Sequence, residues 1–171
     1  MKFIYDENID KKCKKELDAY ESIFGQKKKI DSFTINKEII NNFNGIWTDE
    51  IEKKFLSIIT KIFGEDLPKD FVLYLNTTPY SMDIKEGISI SISTKTPIRT
   101  ICHETNHYMF RKSSYKEKYF NNKDMEEAKE IFTIINNIYF QDLMENQDLG
   151  WPKFWKDRYN FLKIWIKNEL I

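Results

Sequence analysis

The stretch ICHETNHYMF, residues 101–110, holds both histidines of the chain, four residues apart, with Glu104 directly after the first. With two histidines in 171 residues, such a spacing arises by chance roughly once in a thousand sequences. Its meaning rests on whether the segment is a helix and on which way the histidines face. On a helix, His103 and His107 stand one turn apart, and their two imidazoles can take two corners of a tetrahedral zinc. Glu104, one residue past the first of them, can then lean towards the metal without binding it.

The flanking residues predict a helix. Thr96 is a candidate N-cap and Pro97 follows at the first helical position, where a missing N–H costs nothing. Ile98, Ile101, Cys102, Thr105 and Met109 recur at the spacing of a single buried stripe. At about 100° per residue, His103 and His107 lie nearly opposite that stripe. Tyr108 and Phe110 flank the two sides, as they would on a helix at the floor of a cleft.

Upstream, Ile88, Ile90 and Ile92 alternate with Ser89, Ser91 and Ser93 within 87–94, the period of a strand with one buried face. The apolar run 71–76 (FVLYLN) predicts a buried strand, and the loop between the two, with Pro79, a turn or cleft rim. Residues 48–64 predict a helix from the N-cap Thr48 to Gly64, with Ile51, Phe55, Ile58, Ile59 and Ile62 on one face. Residues 8–24 predict a polar helix stopped at Gly25, followed by a short strand over 29–35. Downstream, 123–146 predicts a long helix with Met125, Ala128, Ile131, Phe132, Ile135, Ile138, Tyr139 and Leu143 on its apolar face. Trp151-Pro152 opens a last helix, with Phe154, Trp155, Leu162, Trp165 and Ile166 inward. Helices, a small antiparallel or mixed sheet and then more helices make one α+β domain over 1–171.

Composition excludes several partners. Lys+Arg and Asp+Glu balance at 27 each, so no net field favours nucleic acid or an anionic membrane. The clusters KKCKK (11–15) and QKKKI (26–30) are local and fit a solvated helix face and a turn. No apolar run approaches a membrane span, and MKFIYDENID lacks the apolar core of a signal peptide, so a cytoplasmic location is expected. Cys13 and Cys102 are too few for a disulfide framework. With 41 % hydrophobic and 15 % aromatic residues, the chain is globular, and we expect a monomer.

A catalytic zinc site needs a third protein ligand, with the fourth position left for water. No histidine remains, Cys13 is remote and Cys102 lies on the core stripe, so the ligand is a carboxylate. The downstream helix offers Glu126, Glu127 and Glu130, among which periodicity does not choose. Glu130 shares a polar side with Thr133, Asn137 and Gln141, whereas Glu127 borders the apolar face.

His103-Glu104-Thr105-Asn106-His107 with a glutamate on the next helix resembles the gluzincin branch of the zincin metallopeptidases. Glu130-Ile131-Phe132-Thr133-Ile134-Ile135-Asn136-Asn137 is similar to the downstream helix of small single-domain H-E-x-x-H proteins. The resemblance covers roughly 71–167. It implies a zincin-like fold, Zn²⁺ as cofactor, and Glu130 as third ligand, although Lys129 stands where the commoner form has Asn. It also implies an edge strand beside the zinc helix, here Ser89–Ser93, that pairs with extended substrate. The implied activity is hydrolysis of a peptide or protein substrate by a zinc-activated water, with Glu104 as general base. Tyr139, Arg158 and Tyr159 are candidates to stabilise the transition state. The alternative is a zincin-like peptide-binding or regulatory module without turnover.

Overall fold

The register of four short strands sets the frame on which everything else is hung. In the computed structural model, which describes residues 1–24 and 34–171 (the side chains of 18–24 excepted), these strands form one mixed sheet. They are β1 (Phe3–Tyr5), β2 (Val72–Asn76), β3 (Met82–Ile84) and β4 (Gly87–Ser91), in the order β1-β2-β4-β3. β1, β2 and β4 run parallel, and β3 is antiparallel to β4.

Leu73 pairs with Ile88 and Leu75 with Ile90, so the period of two puts all four side chains on one face. That face carries the main core, where they cluster with Phe3, Phe43, Phe55, Ile59, Ile101, Cys102 and Met109. The helical members come from α2 (Lys37–Ile46), α3 (Asp49–Phe63) and α4 (Pro97–Phe110). α1 (Glu7–Phe24) lies on the other face, with Cys13 Sγ 3.4 Å from Ser89 Oγ. β4 begins at Gly87, with φ +151°, where a Cβ would come within 2.2 Å of the Val72 carbonyl oxygen. Glycine is what lets β4 lie this close to β2.

Two expectations for the strand before α4 need correction. β4 is an inner strand between β2 and β3, and the edge on that side is β3. The serine face of β4 is not an outer one either. Ser89 is fully buried and accepts from Asn76 Nδ2 at 2.9 Å, while Ser91 Oγ donates to the Thr78 carbonyl. A hydroxyl can satisfy itself inside the fold, so the alternation marks a layer of polar contacts beneath α1 rather than water. Of the expected strand over 29–35, residues 34 and 35 are irregular; the rest, like the stop at Gly25, lies outside the described residues.

α3 is capped by Thr48 and ends at Gly64, whose φ is +73°, as expected. α4 spans its expected range, but Thr96 makes no side-chain cap. The carboxylate of Glu145 caps it instead, accepting from the backbone N–H groups of Ile98 and Arg99 at 2.8 Å each. Past α5 (Tyr115–Tyr119), the long helix expected over 123–146 is shorter and interrupted. α6 (Met125–Phe132) starts at the N-cap Asp124, tightens into a 3₁₀ turn at Thr133–Ile135, and resumes as α7 (Asn136–Tyr139). At the break the Glu130 carbonyl accepts from Thr133 Oγ1 at 2.9 Å and Arg158 Nη1 at 2.6 Å. Side-chain donors competing for a helix carbonyl favour such a local tightening.

α8 (Trp155–Trp165) follows a 3₁₀ turn at Pro152–Phe154. Its inward side carries Phe161, Trp165 and Arg158, whereas Trp155 is 53 % exposed and Ile166 37 %. The apolar stripe was therefore expected on partly the wrong side, because a buried arginine interrupts it. Phe161 and Trp165 join Phe132 at ring-centroid distances of 5.7 and 5.4 Å, which fixes α8 onto α6. Among the described residues no helix is long and apolar enough to cross a membrane.

The cap on α4 generates a discriminating test. Glu145→Ala should cost about 1 kcal/mol of stability, the usual worth of an N-cap, while Thr96→Ala should cost much less. Urea denaturation of the two variants checks this, and equal losses would assign the cap wrongly.

Candidate metal centre

α4 packs its Ile101, Cys102, Thr105 and Met109 side into the fold, which turns His103, Glu104 and His107 towards a cleft of about 570 Å³. One wall is the loop at Tyr80 and Ser81 with the end of β4. The other is the segment Asp148–Trp151, and Glu130 closes the floor from α6. The donor atoms of His103, Glu104 and His107 all lie within 4.8 Å of one another. The Glu130 carboxylate straddles the two rings, with Oε2 3.7 Å from His103 Nε2 and Oε1 3.7 Å from His107 Nε2.

Those separations are too long for hydrogen bonds. Across a tetrahedral zinc with bonds of about 2.1 Å, ligand atoms stand about 3.4 Å apart, so the spacing suits an ion between them. His107 Nε2 and Glu130 Oε2 are buried without a hydrogen-bond partner, a costly condition for polar atoms that a ligand would relieve. The residues present thus fit a metal.

Neighbouring groups orient the rings. His103 Nδ1 lies 2.8 Å from Asp148 Oδ2, the contact that commonly sets the tautomer and direction of a metal-binding imidazole. Asp148 is in turn held by Asn136 Nδ2 at 3.1 Å, and by Asn137, which donates to its carbonyl and accepts from its N–H. Arg158 Nη2 donates to the Asp148 carbonyl at 2.7 Å, so one guanidinium joins the turn bearing Glu130 to the loop bearing Asp148.

The other two glutamates considered on this helix are used elsewhere. Glu126 pairs with Arg111 at 2.7 Å and Lys129 at 2.8 Å, and Glu127 lies 3.9 Å from Lys123 near the surface. Of the polar row expected beside Glu130, Thr133 and Asn137 support the site and Gln141 is exposed. Cys13 and Cys102 are buried away from the cleft lining.

None of the three groups proposed from sequence for transition-state stabilisation lines the cleft. Arg158 is buried and turned to backbone carbonyls, Tyr159 is 60 % exposed, and Tyr139 packs by Trp165. Tyr80, on the cleft wall, escaped the sequence because a tyrosine in an irregular loop carries no periodic signal. Asp148 escaped for the same reason, standing among several acids in a loop.

Burial dominates the electrostatics. It drives the His103 ring down, but the surrounding carboxylates, Asp148 first and then Glu130 and Glu104, together more than offset this and hold the ring at about 9. Burial raises Glu104 to about 7, with the His103 charge opposing. Burial and the nearby His103 charge push His107 well below the usual imidazole range. Burial also raises Glu130, whereas Asp148, despite its burial, is brought down to about 2 by His103 and Arg158.

Comparison with protein-family models, with curated proteins and with solved structures returns no match for this chain.

Arg158 and Asp148 form a buried ion pair with side-chain exposures of 2 % and 5 %. Removing one partner of such a pair typically costs about 3–5 kcal/mol. Arg158→Met should therefore destabilise the metal-free protein by an amount in that range, read from urea denaturation. A loss below about 1 kcal/mol would show that the pair is not a principal support.

Proposed function

We propose that the chain is a zinc-dependent metallopeptidase, with His103, His107 and Glu130 as metal ligands and Glu104 as general base. The observation that carries this reading is the Glu130 carboxylate set 3.7 Å from the Nε2 atoms of both histidines, at the floor of a cleft. Two imidazoles and one carboxylate are a donor set suited to zinc, with a fourth position for water. Bound there, zinc would supply Lewis-acid polarisation of a water and a substrate carbonyl.

The chain's own residues supply the rest. Asp148 accepts the Nδ1 proton of His103 and keeps Nε2 turned to Glu130. Glu104 takes a proton from the attacking water and delivers it to the leaving amine. In the metal-free protein burial raises this carboxyl above the usual carboxylate range, the direction that a proton shuttle at neutral pH needs. Tyr80, Ser91, Thr94 and Trp151 are among the residues that line the cleft, a mixed polar and apolar lining that suits a peptide. A zincin-like fold accords with the mixed sheet beneath the helix and with the antiparallel edge strand β3 next to it.

Two measurements test the reading. Purified protein should hold about one zinc per chain, and His103→Ala, His107→Ala and Glu130→Ala should each lower its affinity sharply. Glu126→Ala and Glu127→Ala should leave it near wild type. Full occupancy in the double histidine variant, or loss in Glu127→Ala alone, overturns the ligand set.

For the chemistry, Glu104→Gln should keep fold and zinc but lose at least about 100-fold in peptide hydrolysis, because an amide cannot act as the base. A peptide-cleavage screen with wild type and variant side by side is the assay. Unchanged turnover would remove Glu104 from the mechanism, and a zinc-loaded wild type that cleaves nothing in the screen would favour a binding module.

A further inference from the structure

Behind the cleft lies a second group of charges that the proposed chemistry does not use. Asp83, on β3, has a side chain 3 % exposed, and Lys129, on α6, one 2 % exposed; their charged atoms meet at 2.7 Å. Lys129 also reaches Glu126 at 2.8 Å, and Arg111, from just beyond α4, binds both Asp83 and Glu126. A lysine this deeply buried is rare unless paired, and here it sits directly before Glu130 in the sequence.

The Asp83 oxygen that meets Lys129 also faces His107. This Oδ1 stands 3.8 Å from His107 Nδ1, and that nitrogen is buried without a hydrogen-bond partner. Glu104 Oε2 is 3.5 Å from the same nitrogen. Two carboxylates therefore face one N–H. Glu104 lines the cleft and Asp83 does not, so only Asp83 is free to serve the ring permanently. His103 also has a carboxylate behind its Nδ1, Asp148, but there at the hydrogen-bond distance of 2.8 Å.

We propose that Asp83 is the positioning residue for His107: fixed by Lys129 and Arg111, its carboxylate stands 3.8 Å from Nδ1, too far for a hydrogen bond, and by its charge favours the tautomer that carries the proton there, leaving Nε2 to face Glu130 and Glu104 to the cleft. The same Lys129 ties β3 to α6 one residue before Glu130, so a single buried ion pair sets the relative position of two metal ligands. This rests on the metal reading above.

The test is zinc affinity by chelator competition in wild type, Asp83→Ala, Asp83→Asn and Lys129→Met, with circular dichroism as the folding control. Loss of a carboxylate behind a metal-binding histidine typically costs about 10–100-fold in affinity, and Asp83→Ala should lose that much. Asp83→Asn, which keeps the shape but neither the charge nor the ion pair with Lys129, should recover little of it, and Lys129→Met should lose less than either. In cobalt-loaded protein, the exchangeable Nδ1 proton signal of His107 should move in Asp83→Asn while that of His103 stays. Affinity within twofold of wild type in folded Asp83→Ala overturns the proposal. If that variant does not fold, an unmoved His107 signal in Asp83→Asn overturns it instead. Wild type that binds neither zinc nor cobalt removes the metal reading itself, a separate failure from either of these.

Discussion

Burying carboxylates next to imidazoles is the constraint on which this structure turns. Asp83, Glu104, Glu130 and Asp148 all have side chains 10 % exposed or less, gathered about His103 and His107. An unpaired buried ion costs several kcal/mol, so the fold must bring cations to them. Arg158 arrives on α8 and Lys129 on α6, both with side chains 2 % exposed, while Arg111 reaches in from the end of α4. The C-terminal helix is more than a cover for the core. Its aromatic side docks on Phe132, and that docking delivers the guanidinium to Asp148 and to the Glu130 turn.

The cations do not balance the cleft side. Glu104 and Glu130 have no close lysine or arginine among their ion-pair partners in the described residues, and the nearest basic side chains are the histidines. Burial accordingly raises both carboxyls, a cost that a cation bound between them and the histidines would relieve.

The parts of the fold that follow a period were legible in the sequence. α3, β2 and α4 appear at their expected places because apolar spacing and capping residues agree there. What failed were features set by tertiary bonds. Glu145 caps α4 from 47 residues away, which no local pattern reveals. Ser89 looked outward because polarity alternated, and Trp155 looked inward because it is aromatic; burial reversed both. In the site, the pair on α4 was plain from its spacing, but periodicity left three glutamates open. It could not tell Glu130, buried with Lys129 beside it, from the more exposed Glu126 and Glu127. A lysine at a core position defeats any hydropathy argument, since its place depends on Asp83, a partner far off in the chain.

The connector between α7 and α8 has an unusual standing among loops. Glu145 holds the first turn of α4, Asn146 accepts from Arg99, Asp148 backs His103, and Gly150 turns at φ +58°. The Trp155 indole then pins the Leu149 carbonyl. Surface connectors commonly tolerate added residues, yet here a single inserted residue would shift a helix cap and a histidine's support at the same stroke. Length in this segment is therefore as constrained as identity is in the core, and variation in chains of this fold should accumulate in other loops first.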